Sequence, residues 1–151
     1  MDFAGPFGPL SNSVNQYALV FVDNFSQFTF LISCNNNSAN TTLRVLQDKI
    51  FPITGYPETL IIDGAGAFVS KQFEEALRAH GIEPDMVAPD NHRANGLAER
   101  HVRTLNDTMR NLDDTDKARW PALLKELQIA IATTPSANTG LSPYEMWTRY
   151  Q

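Results

Sequence analysis

Two short apolar runs with only three residues between them place the strongest constraint on how this chain can fold. The runs are Tyr17–Asp23 and Gln27–Ser33, both rich in β-branched and aromatic residues, and Asn24–Ser26 connects them. Runs of this length and composition are typical of β-strands, and so short a connection makes two strands antiparallel neighbours. The sequence therefore predicts a β-hairpin near its N-terminus.

Further strands and helices alternate along the rest of the chain. Thr59–Ile62 and Pro84–Ala88 are short runs typical of strands. The acidic segment Asp113–Asp116 predicts a break between two long helices. Since strands mostly precede helices, we expect an α/β fold with a mixed sheet. Apolar spacing and capping residues predict helices over about Ser38–Ile50, Ser70–Ala79, Asn95–Asn111 and Trp120–Thr133, and a short one that Ser142 and Pro143 open.

The length and composition indicate one folded domain. A chain of 151 residues with 42% hydrophobic content can bury a real core and is too apolar to be disordered. No apolar run is long enough to cross a bilayer, so we expect no membrane partner. The single cysteine, Cys34, excludes an internal disulfide and a cysteine-based zinc cluster, and we expect it to be a buried strand residue.

The net charge of −5 argues against strong binding to nucleic acid, because phosphates attract surplus Lys and Arg. The balance reverses between residues 91 and 110, where four arginines stand against two acids, a local charge of +2. Glu99, Arg103, Asn106 and Arg110 follow at spacings that put them on one face of the predicted helix. A polyanion bound along this face and a solvated face with an internal Glu99–Arg103 pair both fit the spacing.

Three acids stand out by their positions. Asp2 lies beside a probable strand, Asp63 ends another, and Glu99 lies in the first turns of the long helix, with 35 residues between it and Asp63. Converging Asp and Glu oxygens are the hard ligands that Mg²⁺ or Mn²⁺ prefers. A single aspartate at a strand end is more often a turn or cap residue, so the residues alone leave both interpretations open.

Five segments in this order resemble the integrase catalytic core of retroviruses and long-terminal-repeat retrotransposons, most of all its Ty3/gypsy-like and spumavirus-like branches. The interval of 35 residues before Glu99 matches the D,D-35-E signature of that family. The segments are MDFAGPF (Met1–Phe7), LVFVDNFSQF (Leu19–Phe28), DGAGAFVSKQF (Asp63–Phe73), NGLAERHVRTL (Asn95–Leu105) and GLSPYEMW (Gly140–Trp147).

The resemblance implies a ribonuclease H-like fold with a five-stranded mixed sheet flanked by helices. It implies that Asp2, Asp63 and Glu99 are catalytic and hold two Mg²⁺ or Mn²⁺ ions. The implied reactions are 3′-end processing of the element's DNA and strand transfer into target DNA, both metal-dependent. It also implies one core domain over residues 1–151, a core dimer, and action in the nucleus, with a virus-like particle as an earlier location. The family's zinc-binding and C-terminal DNA-binding domains are not expected in this sequence.

In the family, the helix face that follows the glutamate contacts the DNA end. Here the matching residues are Arg103 and Asn106, with Arg100 and Arg110 beside them. Arg93 and His92 stand near the family's loop histidine, and we expect them to be further DNA contacts.

The sequence departs from the family pattern at two loops. Asp63 is followed by Gly64-Ala65-Gly66 where the family has Asp-x-Gly, and Asn91-His92-Arg93 replaces the common His-Pro-Gln. Because Asp2 is the second residue, we also expect the outer half of its strand to lie outside this sequence. The two altered loops favour one alternative, an impaired or domesticated core that binds DNA or protein. A related nuclease or transposase of the same fold is a second alternative, and an unrelated α/β interaction domain is a third, against which the ordered run of motifs argues.

Overall fold

Five strands and seven α-helices make up the part of the chain that the structure describes. This computed structural model describes residues 1–7, 14–63, 68, 70–87, 92–137 and 139–149, and of residues 63, 87 and 92–95 it describes the main chain only. The strands are β1 (Asp2–Ala4), β2 (Tyr17–Val22), β3 (Thr29–Cys34), β4 (Thr59–Asp63) and β5 (Glu83–Val87). The helices are α1 (Ala39–Val45), α2 (Phe51–Thr54), α3 (Lys71–Ala79), α4 (His92–Asn111), α5 (Asp114–Ala118), α6 (Trp120–Thr133) and α7 (Pro143–Arg149).

Serine side chains begin two helices at the predicted positions. The Ser38 hydroxyl accepts the Thr41 amide at 3.3 Å, and the Ser70 hydroxyl accepts the Phe73 amide at 3.2 Å. Both bonds satisfy an amide that the first turn of a helix leaves without a partner. The helix after Ser38 is interrupted, since a π-helical turn over Leu46–Ile50 separates α1 from α2. Helical periodicity does not distinguish a π-turn from an α-turn, so the sequence predicted one helix there.

Two helix predictions need correction. The segment predicted as an acidic break forms α5, because the Asp113 carboxylate caps it by accepting the Asp116 amide at 2.8 Å. Helix α4 begins at His92 and not at Asn95, so His92 and Arg93 belong to its first turn and not to a loop. Residues 64–66 and 91, at the two departures from the family pattern, lie outside the described residues.

The five strands are divided between two sheets. Strands β1, β2 and β3 form an antiparallel sheet, in which Asp2 lies opposite Val20 and Val22 lies opposite Thr29. Strands β4 and β5 form a parallel pair, with Asp63 opposite Val87. The hairpin and the α/β class are confirmed. The expected single sheet of five strands is not seen in that form, although one hydrogen bond described below joins β1 to β4.

Apolar residues form two clusters, one on each face of the antiparallel sheet. On one face, Leu19 packs in a cluster with residues of the segment from α1 to α3, such as Phe73. On the other face, Val20 packs with Leu105 of α4 and Trp120 of α6. Four apolar residues of α4 and its end lie in or against this second cluster: Val102, Leu105, Met109 and Leu112. Helix α4 is therefore fixed across β1 and β2.

Strand β5 carries a proline in its second position. The Glu83 amide donates to the Glu58 carbonyl at 2.9 Å, so the backbone groups of Glu83 point toward β4. Because backbone groups alternate sides along a strand, the nitrogen of Pro84 points away from β4, where no described strand pairs with it. This is the position that a sheet tolerates for a residue without an N–H. None of the described helices combines the length and the apolar character needed to cross a bilayer.

Candidate metal and nucleic-acid site

One hydrogen bond places Asp2 beside Asp63. The main-chain nitrogen of Met1 donates to the Ile61 carbonyl at 2.7 Å, which brings the start of β1 against β4. In a parallel ladder an N–H bonds to the carbonyl one residue before its partner, so Met1 is level with Ile62, and Asp2 with Asp63. Adjacent strands lie about 4.8 Å apart. The bond between Met1 and Ile61 brings the segments that carry Asp2 and Asp63 together, and the side chain of Asp63 lies outside the described atoms.

The Asp2 carboxylate is held close to its own main chain. Its Oδ1 accepts the Phe3 amide at 2.7 Å, and the side chain is half-buried. A hydrogen bond to an amide favours the charged form of a carboxylate and limits its rotation. The strand register with Val20 fixes the backbone on the other side. Asp2 therefore presents an oriented carboxylate from a regular element.

Helix α4 brings Glu99 to the same end of the sheet. A cavity of about 140 Å³ is lined jointly by Met1, Ile61 and Ala98, together with residues of β2 and β4. These three residues each precede one of the three predicted acids by one or two positions. Ala98 is only 3% exposed, so α4 packs closely against the sheet at this point. Glu99, the next residue, is half-buried.

The donor set suits a hard divalent cation. Carboxylate oxygens are the ligands that Mg²⁺ and Mn²⁺ prefer, and a cation compensates the cost of holding acids at the edge of a core. Within the described side chains, no group of three His, Cys, Asp or Glu residues lies close enough to hold a metal ion. The side chain of Asp63, which belongs to the candidate set, lies outside the described atoms.

The C-terminal half of α4 lines a cationic groove. Because α4 is continuous from His92 to Asn111, Glu99, Arg103, Asn106 and Arg110 do lie on one helix face. The guanidinium of Arg110 pairs with Asp107 at 3.4 Å, and both side chains are exposed. The groove has a volume of about 490 Å³ and is lined by Gly5, Pro6, Phe7, Asn106, Met109, Arg110 and Lys117.

Sequence reasoning missed two parts of this groove. Lys117 belongs to α5, so no helical spacing connects it with Arg110. The segment from Gly5 to Phe7 follows β1, and it was known only as part of a family motif. Of the other predicted contacts, Arg100 and Arg103 are exposed on α4. Arg93 and His92 lie in its first turn, and their side chains are outside the described atoms.

Two titratable residues lie outside this arrangement. His101 contacts the Thr29 hydroxyl at 3.3 Å, and burial lowers its pKa, with a smaller contribution from Arg100. Cys34 is 3% exposed in β3, and burial raises the pKa of its thiol. The low exposure and the position in β3 confirm the interpretation of Cys34 as a buried strand residue. A thiol with a raised pKa is also a poor nucleophile.

Comparison with protein families decides the broad identity. The model of the integrase core domain matches residues 1–92 of this chain. The chain belongs to the integrase core domain family. An integrase core has a ribonuclease H-like α/β fold, in agreement with the α/β class found here. The match includes Asp2 and Asp63 and ends at His92, so Glu99 follows the matched region.

Similar proteins come from retroviruses and from a nematode. The Gag-Pol polyprotein of Walleye dermal sarcoma virus is 30% identical over 131 residues, 86% of this chain and 7% of that protein. An uncharacterized protein of Caenorhabditis elegans is 36% identical over 146 residues, 96% of this chain and 11% of its own length. The Pol polyprotein of Radiation murine leukemia virus is 30% identical over 131 residues, 87% of this chain and 22% of that protein. This integrase core thus spans less than a quarter of each of these relatives.

Proposed function

We propose that this integrase core is a metal-dependent polynucleotidyl transferase that processes the 3′ ends of retroelement DNA and joins them to target DNA. The observation that carries the proposal is the bond between Met1 and Ile61, which brings the start of β1 against β4. Membership of the integrase core family supports the reaction class. Both reactions are in-line phosphoryl transfers, in which an enzyme acts mainly by positioning and by stabilising charge.

Asp2, Asp63 and Glu99 are the proposed ligands of two Mg²⁺ or Mn²⁺ ions. Two such ions supply activation of the attacking oxygen and stabilisation of the leaving oxygen. The chain supplies oxygen donors from three separate elements, two of them on adjacent strands. The half-burial of Asp2 and Glu99 keeps part of the solvent away and strengthens their attraction to cations.

The cationic groove is the proposed path of the DNA end. From Glu99 to Arg110 the helix rises about 16 Å, a length equal to about five nucleotides of one B-DNA strand. Arg103, Asn106 and Arg110 would contact successive phosphates along this length, and Lys117 would contact them from α5. Arg100, Arg93 and His92 are proposed as further contacts near the start of α4.

Several finer features of the family belong to the same proposal. The five strands would form one sheet in the order β3-β2-β1-β4-β5, which the Met1–Ile61 bond supports. Residues 1–151 would act as one catalytic core domain. Two cores would associate as a dimer through helices near 40–50 and 120–132, a suggestion that the exposed Ile129 of α6 supports. The site of action would be chromosomal DNA in the nucleus, after passage through a virus-like particle.

A strand-transfer assay tests the activity. The substrate is a short duplex that mimics an element end, incubated with Mn²⁺ and a target duplex, and the wild-type chain is compared with Asp63→Asn. We expect the variant to remain folded and to lose joining by about 1,000-fold or more, because an amide is a poor ligand for a divalent ion. Joining by Asp63→Asn at the wild-type rate would contradict the proposed site.

Metal binding distinguishes this enzyme from a core that keeps the fold and binds DNA or protein without chemistry. A ligand that binds only the folded state raises its melting temperature. We expect millimolar Mn²⁺ to raise the melting temperature of the wild-type chain by a few degrees and to have no such effect on Asp63→Asn. Equal melting temperatures with and without Mn²⁺ in the wild type would favour the binding module.

A further inference from the structure

Helix α4 makes a polar contact with the antiparallel sheet through His101, two residues after Glu99. The Nε2 atom of His101 lies 3.3 Å from the hydroxyl oxygen of Thr29 in β3. Thr29 is completely buried, and it lies on the same face of β3 as Leu31, which belongs to the apolar cluster of α4 and α6. The contact therefore joins α4 to the interior face of β3.

The Thr29 hydroxyl fixes the direction of this hydrogen bond. A hydroxyl has one hydrogen, and Thr29 donates it to the Gln27 carbonyl at 3.1 Å. The Thr29 oxygen therefore accepts the Nε2–H of His101. Since a hydrogen bond requires its donor to point at its acceptor, this bond determines the position and the direction of the imidazole.

The turn before β3 gives this bond a firm anchor. Gln27 has a φ of 61°, and its amide donates to the Asp23 carbonyl at 2.8 Å. The Asp23 carboxylate accepts the Ser26 amide at 2.7 Å and the Ser26 hydroxyl at 2.6 Å. The carbonyl to which Thr29 donates thus belongs to a turn that internal hydrogen bonds hold in place.

Packing does not fully enclose the imidazole of His101. The ring lines a cavity of about 380 Å³ together with Gln27. Further along α4, Leu105 packs in the apolar cluster, and apolar contacts are not directional. The hydrogen bond to Thr29 is therefore a directional restraint on α4 within one turn of Glu99.

A small rotation of α4 would displace the carboxylate of Glu99. Glu99 and His101 lie about 3 Å apart along the helix axis and about 200° apart around it, so both side chains turn with the same segment. Side chains reach about 5–6 Å from the axis of a helix, so a rotation of about 20° moves a carboxylate by about 2 Å. Since Mg²⁺ holds its ligands at about 2.0–2.1 Å in near-ideal octahedral geometry, such a shift would remove a ligand.

We propose that His101 is a positioning residue, which donates to the buried Thr29 hydroxyl and so holds α4 in the rotation at which Glu99 reaches the metal ions. This inference rests on the proposed function, because it concerns a metal ligand assigned there. His101 acts through Glu99 and contacts neither the metal ions nor the DNA.

Mn²⁺ binding to the full chain, measured by calorimetry without DNA, tests the proposal apart from catalysis. Thr29→Val removes the acceptor and keeps the shape of the side chain, whereas Thr29→Ser keeps the hydroxyl. Thr42→Val is the matched control, because Thr42 of α1 is also completely buried and its hydroxyl donates to the Ser38 carbonyl at 3.0 Å. The variants are compared at a temperature at which urea unfolding curves show all of them to be folded.

We expect Thr29→Val to weaken Mn²⁺ binding at least about tenfold, because a residue that orients a metal ligand typically has an effect of this size. Thr29→Ser should restore the affinity to within about threefold of wild type, and Thr42→Val should stay within about twofold, since its site is distant from α4. Strand transfer at saturating Mn²⁺ should also fall at least about tenfold in Thr29→Val, because small errors in position are costly in this type of reaction.

Equal weakening of Mn²⁺ binding by Thr29→Val and Thr42→Val would overturn the proposal, because a general loss of stability would then explain both. A lack of recovery in Thr29→Ser would overturn it as well. A wild-type chain that neither binds Mn²⁺ nor joins DNA would contradict the proposed function together with this inference, so the wild type separates the two failures.

Discussion

The two ends of α4 differ in what they present to the rest of the molecule. At the N-terminal end, Ala98 is buried against the sheet and Glu99, the next residue, is half-buried. At the C-terminal end, Arg103 and Arg110 are exposed and Asn106 lines the cationic groove. Because one continuous helix carries both, an acidic site and a basic surface are held at a fixed separation. A chain with a net charge of −5 can thus present phosphate-binding groups locally.

The largest expected effect separates two acids on this helix. Glu99→Gln should reduce strand transfer by about 1,000-fold or more, because it removes a proposed metal ligand. Asp107→Asn is the matched control: its acid lies two turns further along, is exposed and pairs with Arg110. We expect this control to stay within about threefold of wild type. Equal losses of strand transfer in the two variants, measured in the same Mn²⁺ assay, would contradict the proposed difference between the two ends of α4.

The second prediction concerns the buried side of the helix. Leu105 is 1% exposed in the cluster with Trp120, so Leu105→Ala should lower the free energy of unfolding by about 2–5 kcal/mol. Thr104→Ala changes an exposed neighbour and should cost less than about 1 kcal/mol. Urea unfolding measures both. A small effect of Leu105→Ala would mean that α4 is not anchored to the sheet through this face.

The third prediction tests the proposed DNA path along α4 and the groove. Arg103→Ala and Lys117→Ala should each weaken binding of an element-end duplex and reduce the slope of log K against log salt by about 1, because each removes one proposed phosphate contact. Lys125→Ala removes an exposed lysine of α6 outside the groove, and we expect it to bind as wild type. Fluorescence anisotropy over a salt series gives the slopes. If Lys117→Ala bound the duplex with the same affinity and the same salt slope as Lys125→Ala, the DNA path would not include α5.

The smallest effect comes from His101, between the two ends. Burial lowers its pKa in the folded state below the ordinary value of 6.5, so the unfolded chain binds the proton more readily. Stability should therefore fall as pH decreases from about 6.5 toward the folded pKa, and His101→Gln should remove this contribution. Urea midpoints of both proteins at several pH values test it. If the difference in urea midpoint between wild type and His101→Gln did not change with pH across this range, His101 would not be the source of the pH dependence.

Local features of the fold were predictable from sequence, whereas contacts between distant segments were not. The hairpin of β2 and β3 and the caps at Ser38 and Ser70 depend on residues within a few positions of one another. The bond between Met1 and Ile61 joins residues 60 positions apart, and no periodicity indicates it. The alignment of Asp2 with Asp63 was therefore available only through the family resemblance.

The candidate site shows the same division. The spacing of Glu99, Arg103, Asn106 and Arg110 was enough to put them on one face, because a single helix contains them. Lys117 lines the groove together with Arg110 of α4, and this placement depends on tertiary packing. The start of α4 at His92 was also missed, although Asn91 directly before it is a residue type that commonly caps helices.

Pro84 has a consequence for how copies of this protein behave at high concentration. An edge strand with a row of unpaired backbone N–H groups can pair with the same strand of another molecule, and sheets joined in this way grow into aggregates. The outward-pointing nitrogen of Pro84 has no hydrogen to offer, so a strand of another molecule that aligned with β5 would lack a bond at the second residue of β5. Pro84 thus weakens pairing between molecules along this edge of the sheet.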